Sequence, residues 1–185
     1  MKKIDTLIKE NENALSEIYK DMDSASERIK KAVEKFISLY GERDYHIFSV
    51  SGRSEVCGNH TDHNFGEVLA ASISLDILAV AAKTDDNTIN LVSEGFSKDE
   101  VSLSDLSPVK DEKGKTSALI RGVCDGFSVR SHKTGGFVAY MTSSVLGGSG
   151  LSSSAAFEDM IGNIENHFYN DGKIGYIEIS QISQY

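Results

Sequence analysis

The chain has 185 residues and a formal net charge of −9, from 28 acidic residues against 19 lysines and arginines. Nucleic acids and anionic membrane surfaces are bound through clusters of Lys and Arg, and the sequence has no such cluster, so we exclude both as the main partner. The length is sufficient for one domain with a sizeable core.

The cysteines and the N-terminal sequence indicate a cytoplasmic protein. Cys57 and Cys124 form neither a Cys-x-x-Cys pair nor a metal-ligand cluster, which is typical of reduced structural thiols. The charged start Met1–Asp5 is followed by Lys9 and Glu10 instead of an apolar stretch, so we expect no secretory leader. We also expect no membrane span, because every apolar run is too short.

The region from Met1 to about Leu39 is predicted to be helical. Its apolar residues recur at steps of mostly three and four among many charged ones, which is the pattern of an amphipathic helix. We expect one or two helices on the outside of the core, with Gly41 marking their end.

The sequence next predicts strands on both sides of a polar loop. Residues 45–50 are rich in β-forming side chains, residues 51–66 are polar, and residues 68–82 are an apolar run long enough for two elements. Residues 88–92 follow a turn at 85–87, and this arrangement predicts a β-hairpin with the apolar run before it.

The second half of the chain begins with a predicted surface loop, residues 105–115, which contains the only proline. A helix is expected around residues 119–127, where apolar residues recur at helical spacing, and a strand at residues 137–142. The apolar residues between 157 and 168 have helical spacing too, and they predict a further helix.

A run rich in glycine and serine, residues 143–156, lies between that strand and that helix. Within it, residues 146–150 form what we call the glycine loop. Its glycines allow backbone N–H groups to converge on one anion, and Ser152–Ser154 can cap the helix, donate to phosphate oxygens or bind a hard metal ion. We interpret the run as a phosphate-binding loop; the alternative is a flexible connection followed by a helix cap. The run has neither the Gly-Lys-Ser/Thr ending of a P-loop nor the dinucleotide-binding Gly-x-Gly-x-x-Gly pattern.

The polar loop carries a second dense group of functional side chains. Because sugar hydroxyls both donate and accept hydrogen bonds, a loop with carboxylate, imidazole and amide groups suits a polyhydroxylated ligand. A plain surface loop and a metal site are the alternatives. The metal site is disfavoured, because no helix would hold the two histidines on one face and no second cluster completes the ligands. The side chains concerned are Asn59, His60, Asp62, His63 and Asn64.

Together the two motifs resemble the galactokinases of the GHMP kinase superfamily. The family signature is Phe-x-x-x-Tyr-Gly before a strand, then Gly-Arg-Val-Asn-Leu-Ile-Gly-Glu-His-Thr-Asp-Tyr-Asn-x-Gly-x-Val-Leu. The second family motif is a glycine loop followed by Leu-Ser-Ser-Ser-Ala, which residues 148–156 match closely. The resemblance runs from about residue 33 to the C-terminus. The matching residues of the first motif are Phe36, Tyr40, Gly41, Gly52, Arg53, Gly58, His60, Thr61, Asp62, Asn64, Gly66, Val68 and Leu69.

This resemblance implies ATP-dependent phosphorylation of the anomeric hydroxyl of galactose or a related sugar. It makes the small-molecule sugar and ATP the partners, with Mg²⁺ as the metal. Arg53 would be the catalytic arginine that stabilises the transferring phosphoryl charge, and Ser154 would be a ligand of Mg²⁺. Asn59, His60 and Asp62 would bind the sugar. The nucleotide would be held by Gly147, Gly148, Ser149, Gly150, Leu151, Ser152, Ser153 and Ser154.

The resemblance also implies the fold. The N-terminal lobe of GHMP kinases is an α+β structure of the ribosomal protein S5 domain 2 type, in which helices pack against a mixed sheet. Residues 1–32 would form an N-terminal helical extension, and residues 33–185 would form that lobe. The family's catalytic aspartate and C-terminal lobe would lie beyond Tyr185, so we expect this chain by itself to be inactive as a kinase.

Some residues depart from the family pattern: Asn59 replaces a sugar-binding glutamate, His63 replaces a tyrosine, and Val50-Ser51 replaces Ala-Pro before Gly52. An amide donates as well as accepts, so Asn59 weakens one sugar hydrogen bond and changes which sugar fits. Two alternatives follow, a kinase for another sugar and a non-catalytic regulator that binds sugar and ATP. The complete run at residues 152–156 favours an enzyme.

Overall fold

A computed structural model of the chain describes residues 4–58, 66–145 and 150–184. A mixed sheet of five strands forms the middle layer, and helices pack on both of its faces. Each face of the sheet has its own apolar core. This arrangement confirms the predicted α+β fold, and no helix in the described residues has the length and apolar character to cross a membrane.

The N-terminal region is helical, as predicted, but it forms three helices instead of one or two, and they pack on one face of the sheet. The longest of them begins after Asp21, whose side chain accepts a hydrogen bond from the Ser24 N–H at 3.1 Å, and ends at Gly41, which has a φ of 76°. Its buried side chains, which include Ile29, Val33 and Phe36, recur at helical spacing and pack against the sheet. The three helices are α1 (Ile4–Glu10), α2 (Glu12–Ile18) and α3 (Met22–Tyr40).

The five strands are arranged in the order β1-β2-β5-β3-β4 across the sheet. Only β3 and β5 run parallel, and the other neighbouring strands are antiparallel. The strands are β1 (His46–Cys57), β2 (Leu69–Lys83), β3 (Thr88–Ser93), β4 (Lys98–Ser102) and β5 (Phe137–Ser143).

The predicted hairpin between β2 and β3 is wrong, because β5 lies between these two strands. One edge of β5 pairs with β2, from Ile77 to Lys83, and its other edge pairs in parallel with β3. The turn at residues 85–87 does separate the two strands, as the sequence indicates. A turn motif cannot reveal that a strand from much later in the chain inserts between its neighbours.

Two further predictions about β1 and β2 are wrong. The apolar run at residues 68–82 forms one strand of 15 residues instead of two elements, and β1 continues beyond residue 50, so Arg53 lies in a strand and not in a loop. The two strands pair along their length, from His46 opposite Ala81 to Cys57 opposite Leu69. The apolar run is continuous because the inner half of β2 is buried on both faces of the sheet.

The opposite face of the sheet is covered by α4 (Thr116–Val129), α5 (Ser153–Tyr169) and α6 (Tyr176–Ser183). The strand β5 and the helices α4 and α5 occur where the sequence predicts them. Large side chains such as Phe127, Phe137, Met160 and Ile164 are fully buried between these helices and the sheet. The loop at residues 105–115 contains a short 3₁₀ turn, Lys110–Glu112.

The strand β4 was not predicted. Its five residues include Lys98, Asp99 and Glu100, and only Val101 is buried. Charged side chains are typical of strands at the edge of a sheet, where they prevent pairing with other chains, and they conceal the apolar pattern of the strand.

Glu165 of α5 is a carboxylic acid enclosed in the apolar core. Its Oε2 atom accepts a hydrogen bond from the backbone N–H of Gly135 at 3.1 Å, just before β5, and the Cys124 thiol lies 3.8 Å from its Oε1 atom. Burial raises the pKa of Glu165 to about 8, because the two donors offset only part of the cost of placing a charge here. The side chain is therefore mostly neutral at pH 7.

We predict that Glu165→Gln removes a pH-dependent loss of stability. The carboxyl titrates near its ordinary value of 4.5 in the unfolded chain, so between about pH 5 and pH 8 unfolding releases a proton. The free energy of unfolding then falls as the pH rises, by at most about 1.4 kcal/mol per pH unit from this group. Glutamine is neutral at every pH and should flatten this slope in urea unfolding between pH 5 and pH 8.

The matched control is Glu34→Gln, because Glu34 is exposed on α3. This variant should keep the wild-type slope. If the unfolding free energies of Glu165→Gln and of the wild-type protein change in parallel with pH, the buried carboxyl is not the cause of the slope.

Candidate active site

The two sequence motifs meet in the structure. The backbone N–H of Arg53, on β1, donates a hydrogen bond of 3.2 Å to the carbonyl oxygen of Leu151, the residue that follows the glycine loop. The Arg53 side chain is exposed. A hydrogen bond between residues so distant in sequence fixes the arginine-bearing strand beside the end of the loop.

Gly52 explains how closely β1 approaches this region. A Cβ atom at Gly52 would lie 3.0 Å from Cγ2 of Val145 and 3.2 Å from the carbonyl oxygen of Leu151. Val145 immediately precedes the glycine loop and is buried. The two residues that flank the glycine loop therefore lie against the same residue of β1, and a Cβ atom at that position would displace its neighbours by a few tenths of an ångström.

The N-terminus of α5 lies immediately after the glycine loop. Of the three serines that could cap the helix, Ser152 is the N-cap residue, and it adopts a left-handed conformation with a φ of 57°. Within the described residues its hydroxyl makes no capping hydrogen bond, while its carbonyl accepts from the Ala156 N–H at 3.0 Å. Gly150 also has a positive φ, of 76°, which glycine adopts without strain.

This helix end is suited to an anion. The first N–H groups of a helix have no partner within the helix, and the helix dipole places partial positive charge there. The first turn of α5, which is fully described, has no acidic side chain. Ser153 is partly exposed and Ser154 is exposed in that turn, so their hydroxyls are accessible to a ligand.

The predicted sugar-binding residues Asn59, His60 and Asp62 lie outside the described residues, as do Gly147, Gly148 and Ser149 of the glycine loop. The structure does describe where the polar loop begins. Cys57 and Leu69 are the last paired residues of β1 and β2, so the part of the polar loop that follows β1 belongs to the connection between these two strand ends. One of those strands carries Arg53.

Two carboxylates lie on the second turn of α5. Burial raises the pKa of both Glu158 and Asp159, and the neighbouring charge of Asp159 adds to the effect on Glu158. Glu158 is four residues after Ser154, which places the two side chains on one side of the helix. Among residues 4–58, 66–145 and 150–184, no group of three or more His, Cys, Asp or Glu side chains could hold a metal ion.

Sequence reasoning missed a buried polar cluster next to this site. Asp76 on β2 accepts hydrogen bonds from the hydroxyls of Tyr19 and Ser49 and forms an ion pair with Arg28 of α3. Burial by itself would raise the pKa of Asp76, but the donors from Ser49, Tyr19 and Arg28 outweigh it and lower the pKa. The available signal was a single acidic residue within a largely apolar strand.

Comparison with known proteins agrees with these motifs. Residues 34–83 match the galactokinase galactose-binding signature. The chain is 31% identical over 157 residues to a galactokinase of Clostridium tetani, a match that covers 84% of this chain and 40% of that protein. It is 32% identical over 155 residues to a galactokinase of Clostridium acetobutylicum, covering 82% of this chain and 39% of the relative.

Solved structures show the same relationship in three dimensions. Lactococcus lactis galactokinase, crystallised with galactose, superposes with a TM-score of 0.74 and 27% identity, over 82% of this chain and 39% of that one. Mevalonate kinase of Methanococcus jannaschii has a TM-score of 0.62 at 15% identity, over 76% of this chain and 45% of that one. The second match shows a shared fold alone.

The signature spans β1 with Arg53, the polar loop and β2. The fold comparison covers 82% of the chain, well beyond the signature. The chain spans about 40% of the length of the curated relatives that it matches. The chain is therefore similar to the galactokinases in its galactose-binding signature and in its fold, and mevalonate kinase shares that fold.

Proposed function

We propose that this chain provides the sugar-binding and nucleotide-binding part of a galactokinase-like sugar kinase, which transfers the terminal phosphoryl group of ATP to the anomeric hydroxyl of a sugar. The observation that carries the proposal is the hydrogen bond between Arg53 N–H and the Leu151 carbonyl. It brings an exposed arginine next to a helix N-terminus that suits phosphate.

In this proposal the N-terminus of α5 and the Arg53 side chain both act on the negative charge of the nucleotide phosphates. The N–H groups at the start of α5 and of the glycine loop hold the phosphates, because fixed dipoles bind an anion without having to reorganise. The Arg53 guanidinium stabilises the charge that spreads over the transferring phosphoryl group. Ser152 and Ser153 add hydroxyl donors at the same helix end.

The residues present also fit a magnesium ion shared with the nucleotide. Mg²⁺ prefers oxygen ligands, keeps several waters and usually takes only one or two oxygens from the protein, with the rest from phosphates. The exposed Ser154 hydroxyl offers one such oxygen. When bound, the ion would neutralise phosphate charge.

The sugar would be held by Asn59, His60 and Asp62 in the polar loop. Galactose is the first candidate, because the signature that matches residues 34–83 is a galactose-binding one and the L. lactis relative was crystallised with galactose. The amide at position 59 keeps a related sugar as the second candidate. A cytoplasmic location suits an ATP-dependent enzyme with two free thiols, Cys57 and Cys124.

We predict that Asn59→Glu, which restores the residue of the galactokinase signature, strengthens galactose binding. A carboxylate accepts a stronger hydrogen bond from a sugar hydroxyl than an amide does, so the dissociation constant should fall by about tenfold. Isothermal titration with galactose and with a panel of other hexoses and pentoses measures this change. Asp111→Asn, on the 3₁₀ turn and outside both motifs, is the control and should bind like the wild type. If wild type prefers another sugar and Asn59→Glu weakens that binding, Asn59 sets a different specificity.

We predict that turnover depends on Arg53 and requires sequence beyond this chain. The protein to assay is this chain joined to the rest of the C. tetani galactokinase at the point where the match ends, with ADP release coupled to a sugar panel. Arg53→Ala should lower kcat by about 10²–10³-fold, because the transition-state charge loses its cation. Arg53→Lys should be intermediate, since lysine keeps the charge but lacks the planar fork.

The control for this assay is Arg43→Ala, another exposed arginine, which bonds only the carbonyl of Tyr40 among the described residues. It should leave kcat unchanged. The Arg53 substitutions keep the backbone N–H that bonds Leu151, so they should not disturb the fold. If the joined protein binds sugar and ATP but releases no ADP, the chain belongs to a sugar- and ATP-binding regulator instead.

A further inference from the structure

The segment that enters the glycine loop is held by one residue of β2. The Ser144 N–H donates to the Asp76 carbonyl at 2.9 Å, and the Asp76 N–H donates to the Ser144 hydroxyl at 2.9 Å. The regular pairing of β2 with β5 ends one residue earlier, at Ile77 opposite Ser143. These bonds therefore extend the attachment of β5 to within two residues of the glycine loop.

Arg28, from the helix α3 that packs on one face of the sheet, also contacts Asp76. Its Nη1 atom forms an ion pair with the Asp76 carboxylate. Its Nη2 atom donates to the Asp76 carbonyl at 3.3 Å and to the Thr142 carbonyl at 3.1 Å. One guanidinium thus binds the backbones of both β2 and β5 beside the loop, and the planar fork of arginine makes such multiple contacts possible.

The Asp76 carboxylate is enclosed by its donors. Besides Arg28, the Ser49 hydroxyl donates to its Oδ2 atom at 2.6 Å, and the Tyr19 hydroxyl, from the end of α2, donates to the same oxygen. Asp76 is only 4% exposed. The N-terminal helices are therefore attached to the sheet at the place where the glycine loop leaves it.

We propose that Arg28 and Asp76 are positioning residues that hold the first end of the glycine loop in the geometry required for nucleotide binding. The inference rests on the proposed function of that loop. The second end is already fixed by the bond from Arg53 N–H to Leu151. A glycine-rich segment has high backbone freedom, and holding both of its ends lowers the entropy that is lost when a phosphate orders it.

The chain offers a matched control in Arg121 of α4. Like Arg28, Arg121 binds one carboxylate, that of Glu112, and two backbone carbonyls, those of Ser102 and Asp105. It lies by the 105–115 loop and not by the glycine loop. Replacing either arginine with methionine removes an ion pair and two carbonyl contacts, so both variants should lower Tm.

Only Arg28→Met should weaken nucleotide binding. We expect its dissociation constant for MgATP, titrated well below Tm, to rise by about tenfold, because a small displacement of a positioned binding group costs affinity. Its galactose affinity should not change, and Arg121→Met should bind both ligands like the wild type. Tyr19→Phe removes a single hydroxyl and should shift MgATP affinity in the same direction by a smaller factor. Tyr19→Phe replaces Arg28→Met as the test variant if Arg28→Met does not fold.

Amide hydrogen exchange of residues 143–152 distinguishes the proposal that the glycine loop binds nucleotide from the proposal that Arg28 positions the loop. Faster exchange there in Arg28→Met than in Arg121→Met is expected whether or not ATP binds. If the wild-type chain binds no MgATP but this difference appears, the nucleotide function is wrong and the positioning of the loop stands. If MgATP binds and both methionine variants have equal affinities and equal exchange, Arg28 has a structural role only and the inference is overturned.

Discussion

The position of β5 between β2 and β3 is the constraint on which the rest of the structure depends. The strand is paired on both edges and covered by helices on both faces, so its direction and register are fixed by burial as well as by hydrogen bonds. Whatever follows β5 must leave the sheet beside the middle of β2, because Ser143 pairs with Ile77, whose partner on β1 is Val50. The glycine loop follows it, and α5 then returns across one face. The juxtaposition of Arg53 with Leu151 is a consequence of this topology.

The sequence predicted elements well where the pattern is local. The helices α4 and α5 and the strands β3 and β5 depend on apolar spacing within a dozen residues, and such spacing directly reflects one buried face. The order of the strands depends on contacts between distant segments, which periodicity does not encode. For this reason the turn at residues 85–87 was identified correctly, while the pairing of the strands that flank it was not.

The same distinction applies to the candidate site. Residue chemistry alone indicated a phosphate-binding loop and a sugar-binding loop, and the family resemblance placed Arg53 in the catalytic role. Neither could reveal that the glycine at position 52 exists because β1 touches both Val145 and Leu151. The Asp76 cluster was missed because its partners come from α2, α3 and β1. Only the three-dimensional structure brings them together.

Two buried carboxylates hold β5 at its opposite ends, and their charge states differ for a physical reason. Before the strand, burial of Glu165 outweighs the donors from Gly135 and Cys124 and the charge of Lys83, so the neutral form is favoured. After the strand, Asp76 has an arginine and two hydroxyl donors, which favour the charged form.

These opposite preferences have opposite consequences for stability. The low pKa of Asp76 contributes stability that is present once the unfolded carboxyl would ionise and is lost as the pH falls through the folded value. The raised pKa of Glu165 contributes stability at low pH that is lost as the pH rises towards about 8. Together the two groups hold β5 most firmly in mildly acidic solution. The carboxylate at the end of the strand that presents the glycine loop keeps its charge at neutral pH, so the ion pair between Asp76 and Arg28 persists there.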